Sequence, residues 1–257
     1  MKYAFVFPGQ GTQFVGMGKE LFENFRAARD VFEEVNDVLS QNLFKIMTQG
    51  PDAELIMTAN TQPAMMANSI AILRVMEKEY GLDIKKKVAL FAGHSLGEYT
   101  ACCAAGVFSL ADTAKLLRIR GEAMQRAVPF GKGAMAAIIG VSFKDIEALV
   151  DAASEGEEYC VSANDNSLGQ IVISGHSAAV EKAMAIAPEF GAKKCVKLSV
   201  SAPFHSPLMQ PAQEAMIEAF ENVKKQNAII PIVPNVLAQK VNDADTIVNA
   251  LIAQVTG

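Results

Sequence analysis

VALFAGHSLGEYTA, residues 88–101, sets an apolar run against a serine held between two glycines. Val88 to Ala92 is short and almost wholly apolar, as a strand inside a parallel sheet must be when both its faces are covered. Gly93-His94-Ser95-Leu96-Gly97 matches GxSxG, a sharp strand-to-helix turn that lifts a serine hydroxyl clear of the sheet. A Cβ at either glycine would collide with the neighbouring strand or helix. A helix that opens around Ser95 offers unpaired N–H groups and a partial positive charge to an oxyanion. Ser95 is therefore the candidate nucleophile. The other reading of the string is a tight turn capped by a serine.

Working outward, Tyr3 to Phe7 is a second apolar run, stopped by Pro8-Gly9, and predicts a first strand buried on both faces. Val31, Val35, Val38 and Leu39 recur at helical spacing. Further helices are expected at about 63–80 and at 111–127. Alternating strands and helices indicate an α/β architecture. The middle of the chain differs. It predicts a strand at 134–141, a capped helix from Ser142 through Val150, strands at 159–163 and 170–174 joined by a turn-rich link at 164–169, a helix at 177–189 and a strand at 194–199. That order is β-α-β-β-α-β, the ferredoxin-like split unit. The expected organisation is a large subdomain from 1–127 and 200–257, with a small ferredoxin-like subdomain inserted at 128–199. A helix near 207–225, a strand at 230–236 and a helix at 243–254 complete the large one.

The 257 residues carry 23 Lys plus Arg against 28 Asp plus Glu, a formal charge of −5. That balance argues against a nucleic-acid or anionic-membrane binder, because phosphate binding needs a basic face. Lys85-Lys86-Lys87, the one basic run, reads as a solvated loop before a strand. No segment reaches the roughly 18 uninterrupted apolar residues of a membrane span. The start reads as a strand and not as a signal peptide. Four cysteines without CxxC spacing and three scattered histidines suggest neither a metal site nor a redox pair, and the free thiols point to the cytoplasm.

A serine hydroxyl needs a general base. His94 lies inside the turn and should leave it in another direction. His176 opens a helix in the small subdomain and reads as a surface or capping residue. By elimination the base is His205, in a loop stiffened by Pro203 and Pro207, with a packed loop histidine as the alternative. The oxyanion needs two donors, one being the N–H of Leu96, immediately after the nucleophile. The glycine-rich loop Pro8 to Gln13 is the right kind to supply the other. Spacing alone does not separate it from a plain turn.

FVFPGQGTQ at the N-terminus, GHSLGEY at the turn, RGEAM at 120–124, GAMAAIIG at 133–140 and the His205 loop occur together and in order. Together they closely resemble the malonyl-CoA:acyl carrier protein transacylases of bacterial fatty acid synthesis, and the related acyltransferase domains of polyketide synthases. The resemblance implies an α/β-hydrolase-like large subdomain and a ping-pong reaction. In it Ser95 attacks malonyl-CoA with His205 as base, and the phosphopantetheine thiol of an acyl carrier protein takes the malonyl group. It also implies Gln10 and Leu96 as the oxyanion donors and Arg120 as the clamp for the free carboxylate of malonate. Phe204 would crowd out an α-methyl branch, and Met124 and Asn164 would line the same pocket. In such enzymes a backbone carbonyl, not a carboxylate, steadies the histidine. Relatives continue for several tens of residues past Gly257, and that further segment is expected to hold the carbonyl.

The same resemblance implies no resident cofactor, a cytoplasmic monomer, and docking of an acidic carrier protein on a basic patch such as Lys85–Lys87 or Lys193-Lys194. Two other readings share the motif. A serine thioesterase or esterase would use the same turn with water as acceptor, and a non-catalytic module would only bind the carrier protein.

Overall fold

The computed structural model describes residues 2–129, 131–198, 200 and 202–257. Its elements, in chain order, are β1 (Tyr3–Phe7), α1 (Lys19–Asn24), α2 (Arg26–Leu39), α3 (Leu43–Gln49), α4 (Asp52–Ile56), α5 (Thr58–Lys78), α6 (Ile84–Lys87), β2 (Val88–Gly93), α7 (Leu96–Ala104) and α8 (Leu110–Ala127). There follow β3 (Gly133–Ile139), α9 (Phe143–Ala153), β4 (Cys160–Ser167), β5 (Gln170–His176), α10 (Ser177–Ile186), β6 (Lys194–Lys197), α11 (Gln210–Glu221), β7 (Ile232–Val233) and α12 (Ala244–Ala253). The chain forms two compact units, Met1–Glu122 with Ala215–Ile252, and Ala123–Glu214 with Ala253–Gly257.

The first unit is built on a parallel sheet in the order β1-β2-β7. Some of its helices begin where a side chain satisfies a free N–H group: Asn42 accepts from Lys45 N before α3, and Asp83 accepts from Lys86 N before α6. Lys85–Lys87 is thus an exposed helical turn and not the loop expected, because Asp83 caps it. The strand expected at 230–236 shrinks to two residues between Pro231 and Pro234, which have no N–H to give to a ladder. Helix α5 starts at Thr58, earlier than the expected Pro63. The segment after His205 opens with a 3-10 turn, Pro207–Met209, before α11.

β1 departs from the expectation of burial on both faces. Tyr3 and Val6 are 51% and 71% exposed. The strand is the edge of its sheet, and Val6 lines an open groove with Phe14 and Ile72.

The second unit carries an antiparallel sheet in the order β4-β5-β3-β6 with α9 and α10 between its strands, the arrangement of a ferredoxin-like unit. Ile138, Ile146, Leu149, Ile173 and Val180 form its buried centre. Ser142 caps α9 by accepting from Asp145 N. The expected link at 164–169 is largely strand. Pairing with β5 carries β4 through Asn164, Asp165 and Asn166 with two irregularities in register, and the turn itself is only Leu168-Gly169, with Gly169 at φ 77°. Cross-strand pairing outweighs the turn preference of these three residues. β6 ends at Lys197, and Ser199, the expected last residue of that strand, lies outside the described residues, as does Ser201 of the His205 loop.

One close packing governs how α8 meets α5. A Cβ on Gly121 would lie 2.7 Å from both Ala59 Cα and Thr58 O. Gly121→Ala should therefore cost about 1–3 kcal/mol in urea unfolding. An unchanged midpoint would show that the two helices part freely.

Candidate active site

β2 delivers Gly93 directly to the turn, and α7 begins at Leu96. A Cβ on Gly93 would lie 2.0 Å from Gly97 C and O, and one on Gly97 would lie 2.3 Å from Phe7 O. Only hydrogen fits at either place, so strand end, helix start and β1 close on one another. Ser95 is left at φ 53°, ψ −110°, outside the regions open to ordinary L-residues, at a cost of about 1–3 kcal/mol that the surroundings must offset. Around it His94 N donates to Phe7 O, Gly97 N to His94 O and Glu98 N to Ser95 O. Leu96, 1% exposed, stands where helix geometry leaves the first N–H groups without an intrahelical acceptor. The His94 ring lies against Gly9, whose added Cβ would sit 2.6 Å from Nδ1. Gln10, in the loop after β1, sends Nε2 to Thr58 Oγ1 at 3.4 Å.

Arg120, on α8, is brought to the serine. Its Nη2 donates to Ser95 Oγ at 3.1 Å and its Nη1 to Gln62 Oε1 at 2.9 Å. The side chain is 1% exposed, and the Tyr99 ring lies 5.4 Å from its central carbon. Burial pulls the guanidinium below the usual arginine range, while Tyr99 and Glu98 push it back up. Arginine's very high ordinary value keeps it charged. Arg118 turns away, as expected, and donates to Gln41 Oε1.

In the second unit His205 is 6% exposed at φ 55°. Its Nδ1 is 2.7 Å from Gln254 O. A carbonyl oxygen only accepts, so Nδ1 carries a proton, and in the neutral ring the lone pair then sits on Nε2, the form a general base needs. The loop is fastened twice more. Ser206 Oγ donates to Pro203 O at 2.7 Å, and Pro203 packs where a Cβ on Gly133 would lie 2.4 Å from its ring. The carbonyl at His205 thus comes from Gln254, inside the chain. The expectation that a segment beyond Gly257 holds it is overturned.

His176 occupies the cap position of α10, but its side chain does not cap. The ring meets Tyr159 edge-on, and Nδ1 lies within hydrogen-bond reach of Tyr159 N and O. Phe204, at 8% exposure, and Met124, at 1%, are buried, while Asn164 is half-buried on β4 opposite Val172. Cys102 and Cys103 are buried, and burial pushes the Cys103 thiol up to about 11 and Cys102 well above its ordinary value. Both stay protonated.

Gln62, Gln254 and Asn235 were missed by sequence reasoning. Asn235 accepts from Ser95 N through Oδ1 at 2.9 Å. Gln62 carried no signal of its own in the polar run Asn60-Thr61-Gln62 of α5, because its 2% exposure is visible only after folding.

A parallel sheet that ends in a strained serine turn, with a buried cation on the serine oxygen, puts the molecule in the class of α/β enzymes that handle acyl groups. Residues 4–253 match the model of the acyl transferase domain family, and the chain belongs to that family. It is 44% identical over 253 residues to the malonyl CoA-acyl carrier protein transacylase of Bacillus subtilis, covering 98% of this chain and 78% of that protein. The protein of the same name from Escherichia coli K12 is 41% identical, with 98% and 80% covered. Among solved structures, the acyl-carrier-protein-S-malonyltransferase of Bartonella henselae is 56% identical with a TM-score of 0.96, covering all of this chain and 81% of that one. A malonyl-transacylase solved in complex with its type II PKS acyl-carrier protein is 38% identical with a TM-score of 0.95, covering all of this chain and 82% of that one.

Gln62→Leu should leave Arg120 Nη1 without its buried acceptor and lower stability by about 1–3 kcal/mol in urea unfolding. An unaltered midpoint would mean that the guanidinium re-pairs without loss.

Proposed function

We propose that this chain moves the malonyl group of malonyl-CoA onto the phosphopantetheine thiol of an acyl carrier protein, with Ser95 carrying it between the two. Ser95 Oγ attacks the thioester carbonyl carbon and its proton passes to His205 Nε2. The tetrahedral oxyanion is held by the backbone N–H groups of Gln10 and Leu96. Collapse breaks the C–S bond, the imidazolium returns its proton to the CoA sulfur, and a malonyl ester remains on Ser95. The carrier thiol then attacks that ester by the same steps in reverse, with His205 again taking and returning the proton.

The observation that carries this reading is the Arg120 Nη2 to Ser95 Oγ distance of 3.1 Å. A buried guanidinium beside a serine nucleophile is placed to bind the far carboxylate of a malonyl group, by charge-assisted hydrogen bonds that an acetyl group has nothing to match. A thioesterase for plain acyl chains would retain that buried cation without a use for it, and burying a charge is costly. The Gln254 carbonyl supports His205 as base by fixing its tautomer. Phe204, Met124 and Asn164 are proposed to line the acyl pocket, Phe204 excluding an α-methyl branch. The enzyme is proposed to act as a cytoplasmic monomer, its subdomains divided at 127/128 and 199/200. Among the described residues no helix is long and apolar enough to cross a membrane, and no cluster of His, Cys, Asp or Glu is placed to hold a metal ion.

Intact mass spectrometry after mixing with malonyl-CoA should show a single malonyl adduct that is absent in Ser95→Ala. The adduct should persist in buffer and leave when holo acyl carrier protein is added. Rapid loss to water would indicate a hydrolase, and no adduct at all a binding module. Arg120→Ala should lower malonyl transfer at least 100-fold while acetyl transfer is kept or rises. Equal loss for both would rule out the carboxylate clamp.

A further inference from the structure

β7 pairs with β2 through Ala92 and Val233, and there the backbone ladder stops, because the next residue, Pro234, has no N–H. The side chain of Asn235 takes over from it. Nδ2 donates to Gly93 O at 2.6 Å, and Oδ1 accepts from Ser95 N at 2.9 Å. The backbone N of Asn235 donates to Glu98 Oε2 at 3.0 Å, and Glu98 is 0% exposed in the first turn of α7. One residue thereby ties together the end of β2, the serine and the start of the helix.

The two amide bonds straddle His94, so a single rigid plane fixes the peptide groups on either side of it. The direction of the Ser95 N–H is what φ of Ser95 describes, and that φ is the unfavourable 53°. Holding the peptide plane on the N-terminal side of Ser95 anchors the turn from which both Ser95 Oγ and the N–H of Leu96 project. The chemistry of the contact is exacting. It needs one donor and one acceptor at the reach of an asparagine. Aspartate offers two acceptors and would face Gly93 O without a proton, and alanine offers nothing.

We propose that Asn235 is a positioning residue for acyl transfer, which holds the strained nucleophile turn in its reactive geometry without touching the reacting atoms. The proposal rests on the reading of Ser95 as nucleophile. A misplacement of about 1 Å at a reacting group costs on the order of 100-fold in rate. It should therefore appear in the chemical step and not in substrate binding.

Rapid-quench measurement of malonyl-enzyme formation from malonyl-CoA tests it, in wild type, Asn235→Ala and Asn235→Asp. The burst amplitude reports the fraction of folded sites and the rate constant reports their geometry. In both variants the rate constant should fall about 10–100-fold. The malonyl-CoA concentration for half-maximal rate should stay within about twofold. The pH profile should keep its wild-type midpoint, because the base is unchanged. A lower amplitude with a wild-type rate constant would show a merely structural role and overturn the proposal. Should Asn235→Ala leave no folded sites, the near-isosteric Asn235→Asp decides by the same rate constant. A wild-type protein that acquires no malonyl group on Ser95 would bring down the nucleophile reading and this proposal together. A labelled wild type with unslowed variants would bring down this proposal alone.

Discussion

The structure depends on how closely strand and helix approach at the serine turn. Gly93 and Gly97 are in contact through atoms that a single methyl group would displace, and Gly97 rests on the backbone of Phe7. That contact joins β1, β2 and α7 at one point and leaves Ser95 in a conformation its own backbone disfavours. Packing, not local preference, holds the turn. The strain is sustained because the surrounding bonds over-determine it. The reward is a hydroxyl raised from the sheet beside the start of a helix.

Arg120 is the second constraint, and an expensive one. A guanidinium with 1% exposure loses nearly all its hydration, which Gln62, the Ser95 oxygen and the Tyr99 face help to offset. Hydrophobic residues in its place would give a more stable core at less cost. A charge retained there makes sense as a receptor for an opposite charge on the substrate. The close packing of Gly121 on Ala59 and Thr58 allows α8 to present it, because this packing sets α8 against the first turns of α5, where Gln62 lies.

The parts legible in sequence are those whose physics is local. GxSxG announces its own sterics, and the β-α-β-β-α-β order follows from period and turn residues. The partners of the candidate residues are far away along the chain and carry no local signature. Gln62 lies 58 residues from Arg120, Gln254 lies 49 from His205, and Asn235 lies 140 from Ser95. At Gln254 it is the backbone carbonyl that matters, so side-chain chemistry gives no hint at all. Arg120 was singled out by family resemblance alone, since an arginine on a helix otherwise reads as exposed. The misjudged strands have one cause, which is that burial and pairing are tertiary facts. β1 is apolar yet lies at an edge, and β4 runs through three turn-forming residues because β5 pairs with them.

The central claim is that one serine and one arginine act on the two ends of the same malonyl group. The most direct measurement is a crystal structure of the protein trapped with malonyl-CoA before any acceptor is added. The account predicts continuous density from Ser95 Oγ through an ester to a free carboxylate lying in the fork of the Arg120 guanidinium. An acyl group esterified to Ser95 whose carboxylate points away from Arg120, or density bonded to any other side chain, would contradict it.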